Sequence, residues 1–494
     1  MVKHRTMARR DVLRAGLALG SLATGAGLSA CGATPTPQVV EKVVEKVVTQ
    51  VIEKEVTKIV EGTPQVVKET VVVQETVVVE VAATPAPSGP VEIRFAHAMG
   101  DDGQKVFENV LADFTAANPD IQVSIEPTFD WDPQKYLVQA ASGTAPDVLW
   151  GDEHFMYHLS TKGVLRDLGP YLETGSLTLD QLAPIQQYFT WQGKQHGLAI
   201  WYGAFALSYN KTAFDDAGLA YPTDDWTWED DFLPAAQALT KDLNGDGLAD
   251  EYGFRTQYGW PNPWGSFIWG FGGEFFNEDG TEFYLCDAPN YKGLEWYLDL
   301  MLKHKVAPDP EAEDALSGGG DLFVLGAVKM QVCSSWSLTA FRKIEDFEWE
   351  VVAMPKGPSG RFSVLSTDSV SIYSQSKAPE QTWKVIETLL GEAAGKVYCE
   401  QLKGPVPSNL AAQKYFVIAD EPPANQQIFV DVPDWVRVPM MSPYEYIISE
   451  PFYSTLESAT LGHVTLAEGM AEVCPQIKEV LAEEIETVNA YLSE

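Results

Sequence analysis

Tryptophans are concentrated in one glycine- and proline-rich segment near the middle of the chain. Trp260, Trp264 and Trp269 all lie within residues 259–270. An indole ring packs well against the apolar face of a sugar ring, and carboxylates accept hydrogen bonds from hydroxyl groups. A single tryptophan taken at random is more often part of a core. Three of them in a loop of this composition nevertheless predict a pocket for a sugar.

Strands and helices alternate in the body of the chain and fix where such a pocket would lie. The segments 91–95, 121–125 and 147–150 have strand patterns, and 104–118 and 135–142 have helical spacing. This alternation predicts an α/β sheet with parallel neighbours. Ligands of such sheets bind beyond the carboxyl ends of the strands. The ligand residues predicted after these strands are His97, Asp130, Trp131, Asp152 and Glu153. The other predicted ligand residues are Trp201, Trp260, Trp264, Trp336 and Asp368.

Two further groups have spacings that occur in metal sites. His154 and His158 are one helical turn apart beside Glu153, although two histidines on a surface helix are common. The segment Asp242, Asn244, Asp246 and Asp250 matches the first half of an EF-hand loop, with Gly253 where the bidentate glutamate would stand. The alternatives are a structural calcium site and a plain turn between two elements. No cofactor is required by any motif.

The composition excludes some classes of partner. The chain has 494 residues with 70 acidic against 34 basic side chains, a formal net charge of −36. Nucleic acid and anionic membrane surfaces need a basic footprint, so neither is expected as a partner. The length is enough for two or three ordinary domains, and a hydrophobic content of 45% argues against a largely disordered chain.

The amino-terminal residues predict export and anchoring. Residues 1–30 have a basic start and a short apolar run typical of a signal peptide, and Arg9 with Arg10 is similar to a twin-arginine signal. The end of this run resembles the lipobox of bacterial lipoproteins, which implies that Cys31 is lipidated. The alternative is a signal cleaved at an Ala-x-Ala-like site, with Cys31 incidental. Residues 31–90 are predicted to be a tether of valine, glutamate, lysine and proline. A helical stripe, strands and a solvated spacer are the alternatives for its structure.

Four cysteines follow Cys31, and an exported chain permits disulfides between them. Pairing within each half of the sequence favours Cys286–Cys333 and Cys399–Cys474, and buried free thiols are the alternative.

An ordered series of motifs resembles the extracellular solute-binding proteins of ATP-binding-cassette (ABC) importers, of the family 1 carbohydrate type. The matching segments are Gly143–Val148, Gly163–Leu168, Gly193–Leu198, Leu207–Phe214, Trp226–Glu229, Tyr252–Phe254, Gly326–Met330 and Met354–Pro358. The resemblance implies a two-lobed, type II periplasmic-binding-protein-like α/β fold with a mixed sheet in each lobe and the ligand in the interlobe cleft. It places the solute-binding domain at 91–494. Lobe 1 is expected at about 91–200 and 372–412, and lobe 2 at about 201–371 and 413–494, with hinge crossings near 198–207 and 366–373 and a further crossing after 407–409.

The resemblance implies that the protein binds a solute and does not catalyse a reaction. We expect a monomeric body, lipid-anchored on the outer face of the cytoplasmic membrane, that captures a mono- or oligosaccharide and delivers it to an ABC permease. Its contact with the membrane is expected through the lipid alone. Two other classes remain as alternatives: an exported carbohydrate hydrolase, which needs two carboxylates at a defined separation, and a stalked surface adhesin.

Overall fold

The computed structural model describes residues 42–60, 63–81, 89–127 and 133–493. The predicted signal at 1–30, Cys31, and the ligand candidates Asp130 and Trp131 lie outside these residues. The chain divides into two compact units, Met1–Ser88 and Gly89–Glu494. Among the described helices, none has the length and apolar character needed to cross a bilayer.

The first unit contains an antiparallel pair of long strands, β1 (Lys42–Val60) and β2 (Thr63–Val81). Valine branches at Cβ and favours an extended backbone over a helix. The Val-Glu-Lys repeat therefore forms strands, and the helical alternative is not the one the structure has. The role of this segment as a tether stays a prediction.

The second unit alternates strands and helices. Its strands are β3 (Val91–His97), β4 (Ile121–Pro127), β5 (Val148–Asp152), β6 (Thr190–Trp191), β7 (Lys194–Gln195), β8 (Leu198–Asn210), β9 (Met330–Ser334), β10 (Trp349–Val352), β11 (Ser363–Ile372), β12 (Val406–Pro407) and β13 (Val436–Arg437). Its helices are α1 (Gly100–Ala117), α2 (Pro133–Ser142), α3 (Glu153–Thr161), α4 (Gly169–Thr174), α5 (Lys211–Ala217), α6 (Leu233–Leu239), α7 (Gly265–Gly270), α8 (Ala288–Leu302), α9 (Pro310–Ser317), α10 (Leu338–Phe341), α11 (Pro379–Leu389), α12 (Glu392–Gln401), α13 (Glu445–Thr460) and α14 (Leu466–Ser493).

A mixed sheet connects these elements in the order β10-β8-β11-β5-β3-β4. Strand β3 runs parallel to β4 and β5, whereas β11 runs antiparallel to both β5 and β8. Strands β9, β10 and β12 each pair antiparallel with β8. Every residue of β8 is buried, because this strand continues from one hydrophobic core into another.

Two of the three hydrophobic cores in the described residues serve to name the lobes. We call the body around Ile93 and Trp150, which includes α1, α11 and α12, the first lobe. The second lobe surrounds Trp264 and Phe452 and includes α5 to α8, α13 and α14. Helix α3 follows β5 directly and packs against α2, with the Phe155 and Tyr136 rings 5.3 Å apart, so it belongs to the first lobe. The exact lobe boundaries stay a prediction.

The predicted elements are confirmed in position. The expected strands and helices between residues 91 and 150 correspond to β3, α1, β4, α2 and β5. Two of the expected crossings correspond to β8 and β11, which pair antiparallel with each other, and β12 pairs with β8 just before the position expected for the third. The α/β fold with a mixed sheet is therefore as predicted.

The disulfide prediction is wrong. Cys286 pairs with Cys474, and Cys333 and Cys399 are buried free thiols. The prediction kept each pair within one half of the sequence, but the second lobe is discontinuous. Helix α14 returns to pack beside the turn that precedes α8, so the bonded cysteines share a lobe although 188 residues separate them. For Cys333 and Cys399 the alternative of buried thiols holds.

Candidate functional site

Three neighbouring strands bring aromatic and acidic residues together where the lobes meet. In the register of the sheet, Trp201 of β8 lies opposite Asp368 of β11, which lies opposite Asp152 of β5. Further along β8, Gly203 lies opposite Ser366. Residues two apart on a strand project from the same face, so Trp201 and Gly203 share a face with Ser366 and Asp368.

Trp201 positions the Asp368 carboxylate through a hydrogen bond. Its indole N–H donates to Asp368 Oδ2 at 2.6 Å, while its ring packs against Trp150 and Tyr398 at centroid distances of 4.8 and 5.2 Å. Trp201 is 4% exposed and Asp368 is partly exposed. Burial raises the pKa of Asp368 to about 7, the Trp201 hydrogen bond opposes that rise, and the charge of Asp152 adds to it. Trp201 thus positions an acceptor and presents little surface of its own.

An aromatic wall continues the same face. The Phe205 ring lies 6.2 Å from Trp260 and 5.2 Å from Trp336, and the two indoles are 6.2 Å apart. Trp260 is 39% exposed and Trp336 is 37% exposed, whereas the other tryptophans within the described ranges are more buried. Two exposed indoles beside a partly exposed carboxylate provide stacking surfaces and a hydrogen-bond acceptor for one ligand.

Gly203 makes this arrangement sterically feasible. A Cβ at position 203 would lie 2.2 Å from Ser334 Oγ, 2.7 Å from Ser335 Oγ and 3.3 Å from the Trp336 ring. The Ser335 hydroxyl donates to the Tyr202 carbonyl oxygen, which fixes the turn that presents Trp336. The lack of a side chain at 203 therefore lets Trp336 approach the sheet.

Asp152 and Glu153 begin α3 and differ in their surroundings. Asp152 is partly exposed, and its Oδ1 accepts the Phe155 N–H at 2.8 Å as the helix N-cap. Glu153 is 1% exposed, and its Oε2 accepts the Thr367 N–H at 2.9 Å. Burial, and next the charge of Asp152, raises the pKa of Glu153 well above its usual value. Asp152 remains a ligand candidate, whereas Glu153 joins α3 to β11 below the surface.

Two other predicted ligand residues are buried. His97 is 0% exposed, its Nε2 lies 3.1 Å from Gln104 Oε1, and its Nδ1 accepts the Met99 N–H. Burial lowers the pKa of His97, and the hydrogen bond with Gln104 opposes that shift. Trp264 is also 0% exposed and lies in the core of the second lobe. Composition marks the loop but does not tell which of its tryptophans points inward.

Sequence reasoning missed two buried polar residues, one in the loop of Trp260 and one whose carboxyl group interacts with Asp152. Asn262 is 4% exposed, and its Oδ1 has no hydrogen-bond partner in the described structure, although it lies two residues beyond Trp260. Glu445, at the start of α13, is 8% exposed; burial raises the pKa of its carboxyl group, and the charge of His154 opposes that rise. The tryptophan-rich loop was a sequence signal that could have identified Asn262. No such signal existed for Glu445, because α13 comes from a distant part of the chain.

The two predicted metal sites, at His154 with His158 and in the loop around Asp242, stay predictions. No group of three or more His, Cys, Asp or Glu side chains in the described ranges is arranged to hold a metal. In the loop around Asp242, the carboxylate accepts the N–H groups of Gly245 and Gly247, which lowers the pKa of Asp242. Asp250 accepts the Leu243 N–H in the same way. Calcium at Asp242, Asn244, Asp246 and Asp250 stays a prediction.

Comparisons with known proteins place this geometry in context. Residues 100–396 match the family model described as bacterial extracellular solute-binding protein. A protein of Brucella abortus (strain 2308) assigned as a binding protein is 29% identical over 328 residues, which cover 62% of this chain and 73% of the relative.

Solved structures are also similar to this chain. An ABC substrate-binding protein of Listeria monocytogenes in complex with cycloalternan has a TM-score of 0.70 at 26% identity, over 80% of this chain and 99% of the other. The maltose/maltodextrin-binding domain of Bdellovibrio bacteriovorus, bound to maltotriose, has a TM-score of 0.65 at 20% identity, over 80% of this chain and 100% of the other. These similarities support the two-lobed, type II binding-protein fold.

Proposed function

The chain belongs to the bacterial extracellular solute-binding protein family, and from that membership we propose that it captures a carbohydrate between its lobes for import. The observation that carries this proposal is the exposed pair Trp260 and Trp336 beside the acceptor Asp368. Stacking on sugar faces and acceptance from hydroxyls are the two interactions that a carbohydrate offers. The structure bound to cycloalternan supports a sugar, which can be a mono- or an oligosaccharide.

Delivery to an ABC permease is the second part of the proposal. A solute that binds between two lobes favours the closed form, because that form gives it contacts from both sides. The permease would then recognise the closed form. We further propose that the protein is exported and held on the outer face of the cytoplasmic membrane by lipid on Cys31, with a monomeric body. Replacing Cys31 with Ala should release the protein from the membrane fraction of a bacterial host if the anchor exists.

Catalysis is not part of the proposal. In a hydrolase, Asp152 and Asp368 would be the catalytic acidic pair. Asp152 caps α3, and Asp368 accepts the Trp201 N–H. Hydrolysis needs one carboxyl group that can protonate the leaving group and another that attacks or activates water. Membership in a family of binding proteins favours ligand positioning over that chemistry.

A panel of sugars tests the proposal. The purified protein is mixed with monosaccharides, maltotriose and cycloalternan while thermal shift and tryptophan fluorescence are followed. We expect at least one sugar to raise the melting temperature and change the emission, without turnover in the product analysis. Release of product would favour the hydrolase. No response to any sugar would contradict the carbohydrate proposal, and self-association of the isolated 31–90 segment would then favour the adhesin.

A further inference from the structure

One face of α3 is directed at the second lobe. His154, His158 and Lys162 are spaced four residues apart, which places them in a row along one side of the helix. Lys162 is the C-cap residue of α3, where a positive charge is favourable to the helix dipole. This row starts beside the ligand candidate Asp152 and extends away from it.

The row meets side chains of α13 and α14. The Lys162 ammonium donates to the Glu484 carboxylate, and the two side chains are 28% and 19% exposed. The His158 ring lies 5.2 Å from the Tyr446 ring, and His158 is 7% exposed. These contacts join residues of the first lobe to residues that lie more than 280 positions later in the sequence.

These contacts depend on how far apart the lobes are. Helix α3 is fixed to β5 and α2 in the first lobe, whereas α13 and α14 are fixed in the second lobe by its core and by the Cys286–Cys474 bond. Hinge opening moves such bodies as units and separates groups that are joined across them only by side chains. The Lys162–Glu484 pair and the His158–Tyr446 contact would therefore be lost on opening.

We propose that Lys162 and His158, together with Glu484 and Tyr446, form a clasp between the lobes that stabilises the closed form without touching the solute. The clasp sets what fraction of the protein is closed before a solute arrives. Because closure and binding are coupled, that fraction also scales the apparent affinity for any solute that needs the closed form. The four residues are positioning residues, since they act through the arrangement of the lobes.

The test measures the distance between the lobes in the full chain without any added solute. Spin labels are placed by Val138→Cys in the first lobe and Leu248→Cys in the second, at side chains that are 68% and 73% exposed. Cys31→Ser removes the remaining thiol outside the described fold, and Cys333 and Cys399 are each 2% exposed and react poorly. Pulsed electron paramagnetic resonance then gives the populations of short and long separations.

We expect Lys162→Glu to lower the ratio of closed to open molecules about fivefold, the upper range for one partly exposed ion pair. The reversed pair, Lys162→Glu with Glu484→Lys, should restore the ratio. Lys356→Glu is the matched control, because Lys356 pairs with Asp225 at 3.0 Å within the second lobe. It should leave the ratio unchanged. Circular dichroism verifies that each variant is folded.

Four results would overturn the clasp: a wild-type distribution without the short separation, an unchanged ratio in Lys162→Glu, an equal shift in Lys356→Glu, or no restoration by the reversed pair. None of these measurements includes a sugar. The proposed function can therefore fail in the sugar panel while the clasp holds, and the reverse can also occur.

Discussion

The indole N–H of Trp201 donates to Asp368 Oδ2 at 2.6 Å, and the two residues are register partners on β8 and β11. The hydrogen bond therefore spans two of the strands that connect the lobes. It gives a partly buried carboxylate one good donor, although burial still raises the pKa of Asp368 to about 7. The folded protein consequently keeps a proton at this position at pH values where the unfolded chain has lost it.

Asp368→Asn should flatten the dependence of stability on pH. The folded pKa is raised, so the contribution of Asp368 is fully present below about pH 4, falls as the unfolded carboxyl group ionises, and levels off above pH 7. Asparagine keeps an oxygen for the Trp201 N–H and has no charge to desolvate. We expect the variant to be about 2 kcal/mol more stable than the wild type at pH 8, a value reduced for partial exposure, and equal to it at pH 4. Urea unfolding at both pH values gives the free energies of unfolding. The prediction is contradicted if the free energy of unfolding depends on pH equally in the two proteins.

Trp260→Ala and Trp336→Ala should each weaken sugar binding about tenfold, because each removes one exposed stacking surface. The measurement is calorimetric titration with whichever sugar gives the largest thermal shift. Trp226→Ala is the control, since Trp226 packs against Phe214 in the second lobe, with centroids 6.1 Å apart. If both variants bind as tightly as the control, the aromatic wall is not the sugar surface.

The sequence allowed the sheet to be predicted because strand and helix periodicity is local. Strands β3, β4 and β5 and helices α1 and α2 each depend on a few consecutive residues, and their positions agree with the structure. The family resemblance then supplied the crossings at β8 and β11, which no local pattern reveals. Residue 203 shows the limit of this reasoning, since its closeness to Ser334 depends on a strand that lies far away in sequence.

Side-chain direction within a loop was beyond sequence reasoning. Trp260 and Trp264 have the same residue type and the same glycine- and proline-rich surroundings, yet they are 39% and 0% exposed. Trp264 precedes α7 and points into the core, whereas Trp260 lies on the loop before it. Glu445 reaches the site from α13, and Cys474 reaches Cys286 from α14, because the carboxyl-terminal helices return to the second lobe.

Asn262→Ala should reduce affinity with little effect on stability. The Oδ1 of Asn262 is buried and has no hydrogen-bond partner among the described residues. Its removal therefore breaks no hydrogen bond within the protein. A hydrogen bond from a sugar hydroxyl to this oxygen would be lost, which corresponds to about 1.4 kcal/mol or a tenfold change in Kd. Asn290→Ala is the contrasting control, because Asn290 Oδ1 accepts the Glu274 N–H at 3.1 Å. That variant should lower the melting temperature and keep the affinity; the opposite pattern would contradict a role for Asn262 in binding.

Loss of the Cys286–Cys474 bond should destabilise the second lobe. Replacing both cysteines with Ala is expected to cost about 3–5 kcal/mol, because the bond closes a long loop in the unfolded chain. Guanidinium unfolding gives the cost, and Cys333→Ala, which removes a thiol without a disulfide, is the control. Peptide mapping of the unreduced wild type checks the connectivity. A peptide that links Cys286 to Cys333 would contradict the pairing.

Gly203→Ala should disturb the floor of the site. The new Cβ would lie 2.2 Å from Ser334 Oγ and 2.7 Å from Ser335 Oγ, so the serines and the turn that presents Trp336 must move. Overpacking of this kind costs about 1–3 kcal/mol, and the shift of Trp336 should also weaken sugar binding. Gly259→Ala is the matched control, because a Cβ there meets no atom within 4 Å. Adding Ser334→Ala and Ser335→Ala to Gly203→Ala removes the clashing oxygens, and we expect this triple variant to recover most of the melting temperature. If Gly203→Ala is as stable and binds as well as Gly259→Ala, the close approach at Gly203 does not support the site.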